Sequence, residues 1–255
     1  MSYAKPTVIV FSGAFHQASC MELFIGKLQD AGFPAEAYGL RTVDNRDAVV
    51  DDDTEYMISV MTPHLDENKD VIFIIHSFAG FPGSAAISNL SRESRVVRGE
   101  KGGILGVVYL STFVPPSNGV SAFDMLGRTW SPWHEVNEET GLITAKDPID
   151  IFYKDCDADL AAKMVKRLKG QSMKAMKSLP SAVGWQEKDY DGRRAYIRCL
   201  EDHAMPLVAQ DAFIKQSGVE WVVKSMKSSH SPFLSKPGET AEIIQQLADE
   251  FQAAQ

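Results

Sequence analysis

Ten consecutive residues, Val71-Ile72-Phe73-Ile74-Ile75-His76-Ser77-Phe78-Ala79-Gly80, constrain the fold more than any other stretch of the chain. Five β-favouring apolar residues run without alternation, as in a strand covered on both faces by helices, and then give way to a polar pair and small residues. The pattern predicts a buried strand, a sharp turn carrying Ser77 and a helix start. Small Ala79 and Gly80 would let the helix approach the strand closely, and free N–H groups at the helix start would face developing negative charge. A serine nucleophile needs that geometry. A serine at such a junction is more often only an N-cap. The Gly-x-Ser-x-Gly form of the turn is also not met, because Ile75 and Ala79 stand at its two glycine positions. Partners elsewhere in the chain have to decide.

The surrounding pattern alternates strands and helices. A β-branched run over 6–11 leads into the loop Ser12-Gly13-Ala14-Phe15-His16, where Gly13 marks a sharp turn or a close backbone approach. Apolar residues at helical spacing follow over 19–31, then a short strand over 35–40. Asp51-Asp52-Asp53 supplies helix-start charge, which explains the triplet better than a metal site does. After the Ser77 strand come a helix and a strand over 104–110. This rhythm predicts a parallel, doubly wound sheet.

Beyond Pro116 no convincing core strand is expected until 195–200; the last strand is expected over 219–224, before a final helix opened by Pro237. The stretch between reads as a helical insertion, rich in Trp and Met, placed to cover the crevice where open α/β sheets bind ligands. The expected organisation is one domain, with a core of 1–116 and 188–255 and a helical cap of about 117–187.

A chain of 255 residues is long enough for one large domain with a well-buried core. The net charge of −8 offers no footprint for nucleic acid or an anionic membrane surface, so a small-molecule partner fits better. No apolar run reaches the ~20 residues that span a bilayer, and the N-terminus lacks a secretory pattern. The three widely spaced cysteines, Cys20, Cys156 and Cys199, form neither a disulfide framework nor a metal-ligand pattern. A cytoplasmic setting without metal or cofactor is therefore expected. The sequence leaves the oligomeric state open, a homodimer included.

Three polar loops fall at the ends of three expected strands, carrying Ser77, Asp202 and His230 in that order. The order is that of serine hydrolases built on a parallel sheet. His230 would take the serine proton, and Asp202 would fix the imidazole tautomer and stabilise the imidazolium. Backbone N–H groups of Phe78 and Ala14 would form an oxyanion hole. Phe15, Phe78, Trp130 and Trp133 are candidates for the pocket wall. His16 could join them from its loop, or serve as a structural hydrogen-bonding group. Glu201 would point away from Asp202, and His76 away from the pocket.

The residues also resemble a known family. Ser12-Gly13-Ala14-Phe15-His16, His76-Ser77-Phe78-Ala79-Gly80, Val108-Tyr109-Leu110-Ser111-Thr112-Phe113-Val114-Pro115-Pro116, Phe152-Tyr153-Lys154-Asp155-Cys156-Asp157, Glu201-Asp202-His203-Ala204-Met205-Pro206 and His230-Ser231-Pro232-Phe233-Leu234 follow in order nearly from end to end. Together they resemble α/β-hydrolases of the small esterase clade that includes plant salicylate methylesterase and hydroxynitrile lyase, and especially its bacterial and fungal relatives. The resemblance implies a sheet lacking the first two strands of the full fold, a helical cap, and a catalytic triad of Ser77, Asp202 and His230 acting on a small, largely apolar ester or lactone. Hydroxynitrile lyases carry Thr where this chain has Gly13, and Lys where it has Ser231. A retro-aldol, cyclase or lyase reaction with His230 as base, and a slow or non-catalytic ligand receptor or carrier, remain alternatives.

Overall fold

Nine strands organise the computed structural model, which describes residues 5–254. They are β1 (Thr7–Phe11), β2 (Ala35–Tyr38), β3 (Asp70–Ser77), β4 (Gly103–Thr112), β5 (His134–Asn137), β6 (Leu142–Ala145), β7 (Gln171–Ser172), β8 (Arg194–Cys199) and β9 (Val222–Met226). Six of them form one sheet in the order β2-β1-β3-β4-β8-β9, and every pairing in it is parallel. All ten residues of β4 are buried, as are residues 71–76 of β3, which accounts for their unbroken apolar runs. The chain winds one way from β1 to β2 and the other way from β1 to β3. Ligands gather at the carboxyl ends of strands at such a switch point, where the loops after β1 and β3 meet.

Helices cover both faces. The acidic triplet at the start of helix Val50–Asp66 divides its work. Asp52 accepts the Val49 N–H at 2.7 Å and caps the helix. Asp53 turns inward and accepts the Thr42 hydroxyl at 2.6 Å and the Thr42 N–H at 3.2 Å, pinning the loop after β2. Burial pushes its carboxyl up to about 6. The final helix, Pro237–Ala253, buries Ile243, Ile244, Leu247 and Phe251 along one face, as their spacing predicts.

The segment between β4 and β8 differs from the helical insertion expected of it. It contains the short helices Ala122–Met125, Pro148–Phe152, Ala158–Val165 and Met173–Lys177, and also an antiparallel sheet in which β6 pairs with β5 and β7. Strands of four residues give too few alternations to register as a period of two. Their turn is marked by Gly141 at φ +69° and by the Asn137 side chain accepting the Thr140 N–H at 3.0 Å. The last strand, β9, runs two to three residues later than expected; Trp221, just before it, packs its ring edge-on to Tyr109, 4.9 Å away.

The helix after β3, Gly80–Ala86, is wholly buried and lies hard against the sheet. A Cβ at Gly83 would stand 2.6 Å from Ile75 Cγ2, and one at Gly80 would stand 2.2 Å from the Phe113 carbonyl oxygen. The bulk of Ile75, which occupies a usual glycine position of the turn, is thus accommodated by Gly83 one helical turn on. Gly83→Ala should destabilise the fold by about 1–3 kcal/mol through overpacking. Chemical denaturation of Gly83→Ala, Ile75→Ala and the double variant checks this; the double variant should lose clearly less than the sum of the two single losses.

Candidate active site

Ser77 ends β3 in the left-handed region, at φ +58°. That conformation costs an ordinary L-residue about 1–2 kcal/mol. Its surroundings hold it there: the Ser77 carbonyl accepts from the Thr112 hydroxyl and from the Phe113 N–H, and the β3–β4 register shifts between His76 and Ser77. On the other side lies Gly13. A Cβ at that position would be 2.5 Å from Ser77 Cβ and 3.1 Å from Ser77 Oγ. The close approach that the glycine signals in the sequence is therefore the approach of the β1 loop to Ser77.

The structure brings Ser77, His230 and Asp202 into one hydrogen-bonded chain. His230 Nε2 lies 3.0 Å from Ser77 Oγ, and His230 Nδ1 lies 2.6 Å from Asp202 Oδ2. The Asp202 carboxylate also accepts the Ser111 hydroxyl at 2.5 Å and the N–H groups of Ala204 and Met205, each at 2.8 Å. Four donors thus converge on one fully buried carboxylate. The carboxylate in turn requires the proton of His230 on Nδ1, which leaves Nε2 bare and facing the serine hydroxyl. Glu201 is exposed and pairs with Lys227 at 3.7 Å, away from this chain of bonds. Beneath it, His76 Nε2 donates to the His230 carbonyl at 2.9 Å, and its ring lies 4.5 Å from the His230 ring.

Ser77 and His230 open into a chamber of about 40 Å³, whose wall includes Ala14, Phe15, Phe78, Trp133, His134, Phe152, Met176 and Met205. Neither the Ala14 nor the Phe78 N–H donates to another described residue. Phe15 packs on Trp133 and Phe152, with ring centroids 6.0 and 5.8 Å apart.

Two residues expected on the pocket wall do not reach it. His16 is buried behind it: its Nδ1 donates to the Ala14 carbonyl at 2.7 Å, and its Nε2 accepts the Tyr153 hydroxyl at 2.8 Å. Tyr153 belongs to the insertion, so His16 ties the β1 loop to it; the Lys169 N–H adds a second tie, to the Phe15 carbonyl at 3.0 Å. The loop's turn, with Phe15 at φ +68°, carries His16 past the chamber. Trp130 packs on Phe123 in a tilted arrangement at 4.5 Å and meets His134 edge-on at 5.8 Å, which places it one layer behind the wall.

Nothing in the sequence marks His134 or Met176 as a wall residue. His134 begins an edge strand, and Met176 sits among ordinary packing residues. Met205, Phe152 and Ser111 lie within motifs singled out above, yet only the tertiary contacts assign them places.

Burial depresses three imidazoles. His16 and His134 fall to about 4, and His76 lies well below the usual histidine range, with the neighbouring His230 adding to the effect. These rings are neutral in the folded protein and take up protons on unfolding below about pH 6.5. The unfolded state then binds more protons, so stability is complete above that pH and declines as the pH falls from about 6.5 towards 4. Urea denaturation at intervals across that window should show the decline. Replacing His16 with Asn should make it shallower, by up to the contribution of one proton.

Comparison with known proteins places the chain. Residues 8–243 match the model of the alpha/beta hydrolase family. "Probable hydrolase R7" of Phoma sp. is 25% identical over 252 residues, covering 96% of this chain and 98% of its own. "Norfluorocurarine synthase 2" of Strychnos sp. is 23% identical over 265 residues, covering 94% of each. Among solved structures, a pyrethroid hydrolase from Sphingobium faniae superposes with a TM-score of 0.72 at 19% identity, covering 96% of this chain and 97% of its own. The six-stranded parallel sheet, the turn at Ser77 and the family match agree: this chain belongs to the alpha/beta hydrolase family.

Proposed function

We propose that the protein is a serine hydrolase that cleaves a small-molecule carboxylic ester or lactone through an acyl-enzyme. The observation that carries this reading is the hydrogen-bonded path from Ser77 Oγ through His230 to the four-donor Asp202 carboxylate. In the first step Ser77 Oγ attacks the carbonyl carbon while its proton passes to His230 Nε2. The negative charge that forms on the carbonyl oxygen is taken by the Ala14 and Phe78 N–H groups, which border the chamber and have no other described acceptor. One such donor is typically worth about 3 kcal/mol. His230 then protonates the leaving alkoxide. A water, deprotonated by His230, attacks the acyl-enzyme to release the acid and restore Ser77.

Two features support hydrolysis over the lyase alternative. No side chain fits at Gly13, where hydroxynitrile lyases carry Thr, because its Cβ would collide with Ser77. Ser231, which stands where they carry Lys, is fully buried and offers no cation to the chamber. A synthase among the relatives keeps non-hydrolytic chemistry in view, and hydrolysis in labelled water discriminates: a hydrolase places solvent oxygen in the acid product.

Ser77→Ala should lower kcat for a cleavable ester by at least about a thousandfold, with the thermal transition retained. A fluorophosphonate probe should modify Ser77 of the unaltered protein, as located by peptide mass spectrometry. Full activity in Ser77→Ala would overturn the assignment.

A further inference from the structure

Apart from Ser77 and His230, every side-chain hydrogen-bond donor on the chamber wall comes from one turn, Ser131-Pro132-Trp133-His134. The rest of the wall is phenylalanine, methionine, leucine and alanine. The His134 N–H closes the turn by donating to the Ser131 carbonyl at 2.8 Å, and Pro132 stands where its fixed φ favours such a turn. The triad and the oxyanion hole make no use of these donors.

The same turn sets the chemistry of the imidazole. The Ser131 N–H lies 3.3 Å from His134 Nδ1. A backbone N–H can only donate, so Nδ1 carries the lone pair and Nε2 carries the proton. Burial holds the ring at about 4, which keeps it neutral and in that tautomer at neutral pH. Phe15, Trp130 and Trp133 surround it, with ring centroids 6.1, 5.8 and 4.1 Å away. The Nε2–H donates to no described residue, and it is not sealed in the interior as His76 Nδ1 is. It is a fixed, neutral donor that a molecule in the chamber can reach.

Its place along the wall says where an acceptor would lie. Phe15 packs beside His134 and stands 5.8 Å from Phe152, which in turn stands 5.8 Å from His230. Two rings thus separate the imidazole from the catalytic histidine, so the group it meets is several bonds from the carbonyl that Ser77 attacks. No Lys or Arg borders the chamber. A carboxylate would be buried there without a cation, a cost that an uncharged oxygen does not carry.

Resting on the serine-hydrolase reading, we infer that His134 is a specificity-determining residue whose Nε2–H donates to a second, uncharged acceptor oxygen of the substrate. That oxygen is of the ketone or ether type and lies several bonds from the ester carbonyl. A substrate lacking it leaves the donor unpaired, and discrimination follows from that loss.

Three pairs of esters test this, each alike in shape and differing by an ether oxygen in place of a methylene. They are methyl 4-methoxybutanoate with methyl hexanoate, methyl 5-methoxypentanoate with methyl heptanoate, and 3-methoxypropyl acetate with pentyl acetate. In at least one pair the ether should exceed the hydrocarbon in kcat/KM by fivefold or more. His134→Phe should reduce that ratio at least fivefold, with kcat/KM for the hydrocarbon ester held within threefold. His134→Gln keeps an N–H donor and should retain a ratio above that of His134→Phe. Ser131→Ala keeps the backbone N–H and should leave the ratio within twofold. No preference in any pair, a ratio unchanged within twofold in His134→Phe, or a ratio lost in Ser131→Ala alone overturns the inference. Imidazole ¹⁵N spectra of Ser77→Ala give a reading that does not depend on how the His134 variants fold. The preferred ether should move the His134 Nε2 resonance and its hydrocarbon partner should not; equal movement, or none, overturns the inference. Failure of a fluorophosphonate to label Ser77 in the unaltered protein removes the hydrolase reading and this inference with it, whereas labelling and ester turnover without ether preference remove only the role of His134.

Discussion

The structure depends on one backbone constraint, the left-handed turn at Ser77. A serine does not hold φ +58° unaided, so the surrounding elements have to enforce it. β4 grips the Ser77 carbonyl, the following helix is pressed to the sheet through Gly80 and Gly83, and the β1 loop closes on the serine from the far side at Gly13. Each of these contacts involves a different element: a strand, a helix and a loop. The strain is local, and it aims the hydroxyl out of the sheet towards His230.

A buried carboxylate sets the direction of the site. Asp202 receives donors from the end of β4, from its own loop and from His230, and with its charge so satisfied it can sit in the protein interior. That arrangement fixes the histidine tautomer, which is what makes the bare Nε2 face the serine. His76 holds the backbone of His230 from below. It is a buried, neutral ring that supports the site without bordering the chamber.

The insertion after β4 does more than cover the site. Tyr153 and Lys169 hold the β1 loop in place, and Trp133, His134 and Phe152 complete the chamber wall. One side of the chamber is therefore made mostly by this segment. Family membership accounts for the sheet and the turn.

The sequence by itself determined the parallel sheet, the order of its elements and which three polar loops end its strands. Uniform apolar runs such as 71–75, and breaks such as Gly13 and Pro237, are local signals that leave a trace whatever the rest of the chain does. Only the tertiary structure decided which side chains face the cavity. His16 was a wall candidate by its loop, yet the turn at Phe15 rotates it behind Ala14 to meet Tyr153, 137 residues away in sequence. Trp130 and Trp133 look alike in sequence, but one packs on Phe123 and the other lines the chamber. The antiparallel strands of the insertion are too short for a periodic signal, and His134 gains its place on the wall only because β5 pairs with β6. Orientation within a short, irregular segment is set by the partners it packs against, and no local pattern encodes those partners.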